Sequence, residues 1–357
     1  MKPALKALAV LAALGSATGL LAQDVAKPEP GTVRVPAYEI RPSVFLSPEA
    51  RALQEKGTQS PVGETPPTPE QILGIRAGMQ KGRAPLIEAM RKDYAVIIEP
   101  TRIGGINGYW VRPSQAGSKG RARPILLNLP AGGFMIGQAN PIGLIEAIPV
   151  AARSGFDVLT IDYRQYPEAV FPAASEDVAT VYRELLKAHK PSHIGIYGCS
   201  AGGLLTAQAL AWFDKHALPF PGAAGVLCAS ADGFWQGDSW TWQNPIQGKP
   251  AVSTLDEERY YGGHDAKDPL LSPILSESLL ARFPPTLLMS ATRAGELSAA
   301  VDTHRRLVRN GVEAELHVWD GLGHAFMFMN PQLPESREAH AVIAKFFVKH
   351  LPAKARK

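Results

Sequence analysis

Cysteine is scarce in this chain, with two in 357 residues, Cys199 and Cys228. That excludes a disulfide-stapled scaffold and a cysteine-built zinc site, and it leaves stability to a large core. Cys199 sits inside a glycine-rich turn and Cys228 inside an apolar run, so two buried free thiols are expected. Charge is thin as well. Charged residues make up 20% and the formal net charge is +4, part of it from Lys2 and Lys6, with no acid before Asp24. No basic stripe is present, which argues against nucleic acid as a partner. Dinucleotide fingerprint, phosphate loop and zinc-ligand spacing are all missing, so no cofactor and no metal are expected. There is no internal repeat and no heptad pattern.

What is present begins with a leader. Lys2 and Lys6 precede an almost pure Ala, Leu and Val run from Ala7 to Leu14, and small residues follow at Gly15, Ser16, Ala17 and Gly19. That is the layout of a signal peptide, read as residues 1–22, and its apolar run is too short to span a bilayer. Gly15-x-Ala17 and Ala17-x-Gly19 fit a cleavage site, and a cut after Ala22 leaves Leu20 at minus three. No cysteine stands at the junction to carry a lipid, so no stable membrane anchor is expected. The expected location is periplasmic or secreted.

Residues 23–92 read as an N-terminal cap segment. They are loose and proline-rich between Pro28 and Pro69, with short helix signals. Ser47-Pro48-Glu49 is an N-cap, a first-turn proline and a first-turn acid, and Gly57 can end that helix. Thr68-Pro69-Glu70-Gln71 is a capping box that opens a helix through Ile72, Ile75 and Met79. Ala84 to Lys92 is a third, separate short helix. These pieces cannot form a core alone and must lie on something larger.

From residue 93 to 357 strands alternate with helices. Expected strands are Tyr94–Ile98, Ile106–Arg112, Pro124–Leu129, Asp157–Asp162, His193–Tyr197, Gly222–Ser230, Pro285–Ser290 and Glu313–Trp319. Expected helices are Asn140–Arg153, Ala174–His189, Ala201–Lys215, Ser298–Asn310 and Glu335–His350. The stretch Ala231 to Gly263 reads as irregular. This alternation predicts an α/β fold, a mostly parallel sheet with helices on both faces. Its hydrophobic fraction of 45% is ordinary for such a domain, and 33 glycines and 31 prolines supply many loops.

In such sheets the working groups collect beyond the carboxyl ends of the strands. Three loops there carry chemistry. Gly198-Cys199-Ser200-Ala201-Gly202 lies between an apolar strand and a helical run, a turn that pushes a serine hydroxyl into the open at a helix N-terminus. Its glycines stand where a Cβ would meet neighbouring chain. Pro130-Ala131-Gly132-Gly133-Phe134 offers consecutive glycines whose N–H groups can face an oxyanion. Gly323-His324 follows the last strand, where a general base is needed. His264, His304 and His317 fit worse, in an irregular stretch, a helix and a strand. Glycine loop, serine and histidine follow the chain order of α/β-hydrolases.

The sequence resembles the hormone-sensitive-lipase-like α/β-hydrolases, bacterial esterases of the acetyl-hydrolase and lactone-hydrolase type. The likeness runs from about Gly105 to the C-terminal helix. It rests on Gly198-Cys199-Ser200-Ala201-Gly202-Gly203, Asp162-Tyr163-Arg164-Gln165-Tyr166-Pro167-Glu168, Phe171-Pro172-Ala173-Ala174, Asp268-Pro269-Leu270-Leu271-Ser272-Pro273, Pro284-Pro285-Thr286-Leu287-Leu288 and Gly323-His324. The resemblance implies an α/β-hydrolase fold with an N-terminal helical cap. It also implies Ser200 as nucleophile, His324 as base, and an oxyanion hole from Gly132, Gly133 and the Ala201 N–H.

Two departures stand out. The family's His-Gly-Gly-Gly begins here with Pro130-Ala131, which removes a histidine but keeps both donor glycines. The family's acid position, after Thr292-Arg293, is Ala294. Glu296 lies two residues on, one methylene longer than aspartate, and Gly295 can free the backbone to bring it to His324. Glu296 also reads as a first-turn acid of the following helix, and Asp302, a turn into that helix, is a poorer candidate. The cluster Trp235, Trp240 and Trp242 either lines a pocket or fills core. The expected function is hydrolysis of a short-acyl ester or lactone through an acyl-enzyme. The alternative is a weakened α/β-hydrolase that binds a hydrophobic or ester-like ligand without turnover. The partner is a small-molecule substrate, and a homodimer is left open.

Overall fold

A computed structural model describes residues 30–33, 39–56, 67–114, 123–234, 236–246 and 257–351. Contacts divide the chain into Met1–Arg41 and Pro42–Lys357. Of the first unit only residues 30–33 and 39–41 are described, and the expected signal peptide lies outside the described residues.

The second unit is framed by one sheet of eight strands: β1 (Val96–Ile103), β2 (Ile106–Pro113), β3 (Ile125–Leu129), β4 (Asp157–Ile161), β5 (Ile194–Cys199), β6 (Ala223–Leu227), β7 (Thr286–Ala291) and β8 (Ala314–Trp319). The order is β1-β2-β4-β3-β5-β6-β7-β8. β2 is antiparallel to β1 and β4, and every pair from β4 to β8 is parallel. Parallel strands covered on both faces need near-continuous apolar runs, and β3, β5, β6 and β7 are buried along their whole length. β1 runs on to Ile103, past the expected Ile98, because its ladder with β2 continues to the Ile103–Ile106 pair.

Side chains along each strand alternate between two cores. Leu127, Leu129, Ile196 and Val226 pack with helices Ala173–Leu186 and Ala201–Lys215 on one face. Leu126, Tyr197, Cys199 and Leu287 pack with helices Leu144–Ser154 and Pro334–His350 on the other.

The N-terminal helices join the second of these cores through Leu46, Ala50, Ile87 and Met90. Helix Pro48–Glu55 is capped by Ser47, whose Oγ accepts from the Ala50 N–H at 3.1 Å; the expected stop at Gly57 lies outside the described residues. The capping box is present in both directions, Thr68 N–H to Gln71 at 2.7 Å and Gln71 N–H to Thr68 at 3.3 Å. The expected break before Ala84 is not there. One helix runs Pro69–Asp93 with Pro85 inside it. Proline removes one N–H, but the facing position, Lys81, is exposed, so water can serve its carbonyl. The stretch expected to be irregular contains helices Asp238–Ile246 and Glu257–Tyr261.

Candidate active site

Strand β5 delivers Ser200 to the rim of the sheet. The residue has φ +57° and ψ −124°, a strained backbone for a side chain with a Cβ. The surroundings hold it there. The Ser200 N–H donates to the Leu227 carbonyl at 2.9 Å, which ties the turn to β6. A Cβ at Gly198 would come within 2.3 Å of the Leu129 carbonyl, and one at Gly202 within 1.8 Å. Both glycines are therefore required by close approach to β3.

His324 follows β8, in a loop tied to the loop after β7. The Gly321 N–H donates to Thr292 Oγ1 at 2.8 Å, the Thr292 N–H to the Trp319 carbonyl at 3.0 Å, and the Arg293 N–H to the Leu322 carbonyl at 3.0 Å. These bonds bring Glu296 under the imidazole. His324 Nδ1 lies 2.9 Å from Glu296 Oε2, and His324 Nε2 lies 2.8 Å from Ser200 Oγ. The carboxylate only accepts, so it selects the tautomer with hydrogen on Nδ1. Nε2 then accepts from the Ser200 hydroxyl.

Glu296 is buried, and its other oxygen accepts from Ser290 Oγ at 3.1 Å. It stands at the N-cap of helix Leu297–Arg309 yet makes no cap bond there. Its carboxyl goes to His324 instead. Gly295 acts differently from the expectation: its φ is not left-handed, and its bareness leaves room for the Gln243 amide, which a Cβ would meet at 2.3 Å. Ser239 Oγ donates to the Gly295 carbonyl at 2.6 Å and accepts from the Ser298 N–H at 2.8 Å, which fixes this loop. Ala294 is fully buried and Asp302 is paired with Arg305 and Arg306.

The glycine loop after β3 has φ +133° at Gly132, +59° at Gly133 and +54° at Phe134. It is pinned along its length despite the missing histidine. Tyr163 OH donates to the Pro130 carbonyl at 2.7 Å, the Ala131 N–H to Glu146 Oε1 at 3.0 Å, and the Gly137 N–H to Gln165 at 3.0 Å. Arg76, from the N-terminal helix, donates to the Met135 carbonyl at 2.6 Å and the Tyr166 carbonyl at 2.7 Å, and pairs with Glu168. Among the described residues none accepts from the N–H of Gly132, Gly133 or Ala201.

Burial raises the Cys199 and Cys228 thiols, both free, so both stay protonated and unreactive. Trp242 is exposed rather than core, Trp240 is half-buried, and Trp235 lies outside the described residues. Glu313, Glu315 and His350 bring ligand-type atoms together, but Lys349 Nζ already bridges the two acids at 2.8 and 3.0 Å.

Sequence reasoning missed Glu146, Asn128, Arg76 and Ser290. A lone acid in the apolar run Leu144-Ile145-Glu146-Ala147-Ile148 was a signal that could have been used.

A family model for the α/β hydrolase fold matches residues 126–328. An acetyl-hydrolase of Streptomyces hygroscopicus is 31% identical over 249 residues, covering 68% of this chain and 80% of that protein. Among solved structures, esterase E25 superposes with a TM-score of 0.80 at 28% identity, over 90% of this chain and 99% of that one. An esterase from the bacterial hormone-sensitive lipase family gives 0.64 at 29% identity, over 81% and 100%.

Proposed function

The chain belongs to the α/β-hydrolase fold family, in its hormone-sensitive-lipase-like branch, and is an esterase-type hydrolase; from that premise we propose that it cleaves short-acyl esters or lactones through a covalent intermediate on Ser200. Ser200 Oγ attacks the ester carbonyl while its proton passes to His324 Nε2. Glu296 holds the imidazole through Nδ1 and stabilises the cation that forms. The Gly132, Gly133 and Ala201 amides receive the oxyanion. His324 returns the proton to the leaving alcohol, water attacks the acyl-enzyme by the same route, and the acid is released.

The observation that carries this reading is the unbroken chain Ser200–His324–Glu296, with contacts of 2.8 and 2.9 Å. It also weighs against the ligand-binding alternative, which drew on the empty acid position at Ala294. The preference for short acyl groups draws on the acetyl-hydrolase relative. An N-terminal cap over the pocket and export to the periplasm or medium belong to the same proposal, the latter on residues 1–22 alone.

The test is hydrolysis of a short p-nitrophenyl ester by the wild type and by Ser200→Ala. Activity that vanishes in the variant supports the mechanism. Turnover that survives in Ser200→Ala, or ligand binding with no turnover by the wild type, overturns it.

A further inference from the structure

Glu146 is buried to 0% exposure on helix Leu144–Ser154, among Leu144, Ile145, Ala147 and Ile148. Its carboxyl has two partners. Oε1 accepts from the Ala131 N–H at 3.0 Å, and Oε2 lies 2.8 Å from Asn128 Nδ2. Ala131 immediately precedes Gly132 and Gly133. With the Ala131 N–H fixed, a single residue's rotation separates the anchor from the first oxyanion donor.

No cation among the described residues is bonded to Glu146, and an isolated buried carboxylate is strongly disfavoured. Burial pushes its pKa up to about 8, so it is mostly neutral at pH 7. A neutral acid needs an acceptor for its own O–H. Asn128 Oδ1 is buried without a partner, and so is Thr160 Oγ1, on the residue paired with Asn128 across β3 and β4. A half-turn of the Asn128 amide exchanges its oxygen and nitrogen. Its oxygen then faces Glu146 and takes the O–H, while its nitrogen takes the place of the orphaned oxygen.

We propose that Glu146, as a neutral carboxylic acid bonded to Asn128, is the positioning residue that fixes the Gly132 and Gly133 amides for the oxyanion. It accepts from Ala131 with one oxygen and donates to Asn128 with the other. It touches no substrate. In the ground state a looser glycine loop still admits an ester, but in the tetrahedral state the amides must already point at the charge. Loss of the anchor therefore falls on kcat rather than KM. This rests on the reading of Gly132 and Gly133 as the oxyanion hole.

The test compares Glu146→Ala and Glu146→Gln in the full chain. Glu146→Ala is expected to lower kcat on a short p-nitrophenyl ester by about 10²-fold with KM changed less than about threefold. Inhibition by a trifluoromethyl ketone, which adds Ser200 and presents an oxyanion, should weaken in parallel. Glutamine keeps an acceptor for Ala131 and a donor for Asn128, so Glu146→Gln should restore kcat to within about fivefold of wild type. An alanine variant with wild-type kcat overturns the proposal. So does a glutamine variant as impaired as alanine, and the glutamine result decides even where alanine fails to fold. A wild type that the ketone does not inhibit, with Ser200→Ala still active, defeats the oxyanion reading itself, whatever Glu146 does.

Discussion

Glu296 reaches His324 from two residues beyond the family's acid position, and the reach depends on length. Its carboxylate bridges Ser290 Oγ at 3.1 Å and His324 Nδ1 at 2.9 Å. Ala294, two residues before it, is fully buried, and the Gly295 loop is bonded to Ser239 and packed close against Gln243, so the backbone cannot follow a shorter side chain. Glu296→Asp withdraws the carboxylate by about one bond length, ~1.5 Å, and opens the contact. We expect kcat to fall by at least about tenfold for Glu296→Asp and about 10²-fold or more for Glu296→Gln, with circular dichroism unchanged. Near-wild-type rates in Glu296→Gln would remove it from the mechanism. The sequence left Glu296 between two readings because a helix-start acid and a displaced triad acid look alike in one dimension. In the structure the side chain caps nothing and its carboxylate meets His324. Glu146 stands out as a lone acid in an apolar run, but its partner does not: Ala131 is an alanine in a loop, and only the crossing of helix and strand joins them.

At the scale of elements, the turn between β5 and helix Ala201–Lys215 is where local sequence and tertiary packing agree most closely. The glycine pattern was readable from its steric logic, and the contacts supply the surfaces it avoids. Gly202→Ala drives a Cβ to 1.8 Å from the Leu129 carbonyl, backbone that β3 holds in place. We expect it to lower Tm by about 10 °C or more, or to abolish folding. The same substitution at Gly78 meets nothing within 4 Å on an exposed face of helix Pro69–Asp93. Gly78→Ala should instead add about 0.5–1 kcal/mol, seen as a small rise in Tm. That helix also shows the limit of local rules. Pro85 removes a helix hydrogen bond, yet the helix continues through it because Ile72, Arg76, Ile87 and Met90 are all buried. Their packing outweighs one lost hydrogen bond.

Over the whole molecule, two buried groups set opposing pH trends. Glu146, raised to about 8, binds more protons folded than unfolded between about pH 4.3 and 8, so its contribution falls as pH rises through that window. The titratable groups packed round it, Tyr163, Tyr197, Cys199 and Cys228, are themselves held protonated by burial. His340, on the C-terminal helix, donates from Nε2 to the Met327 carbonyl at 3.0 Å, and burial, helped by the nearby Arg153, lowers its pKa to about 3. Unfolded histidine takes up a proton near pH 6.5, so this group's contribution is lost as pH falls from about 6.5 to 3. Thermal melts from pH 4 to 9 should show Glu146→Gln gaining on wild type towards pH 8, and His340→Gln gaining towards pH 4; parallel curves would refute both assignments. By itself the sequence determined the alternation of strands and helices, the order of the sheet-end loops and the places of Ser200 and His324, because periodicity and turn chemistry are local. The tertiary structure alone decided which acid meets the imidazole, what holds the glycine loop without its histidine, and that the N-terminal helix docks through Arg76. Those contacts join residues 15 to 92 positions apart, and only the folded sheet sets their distances.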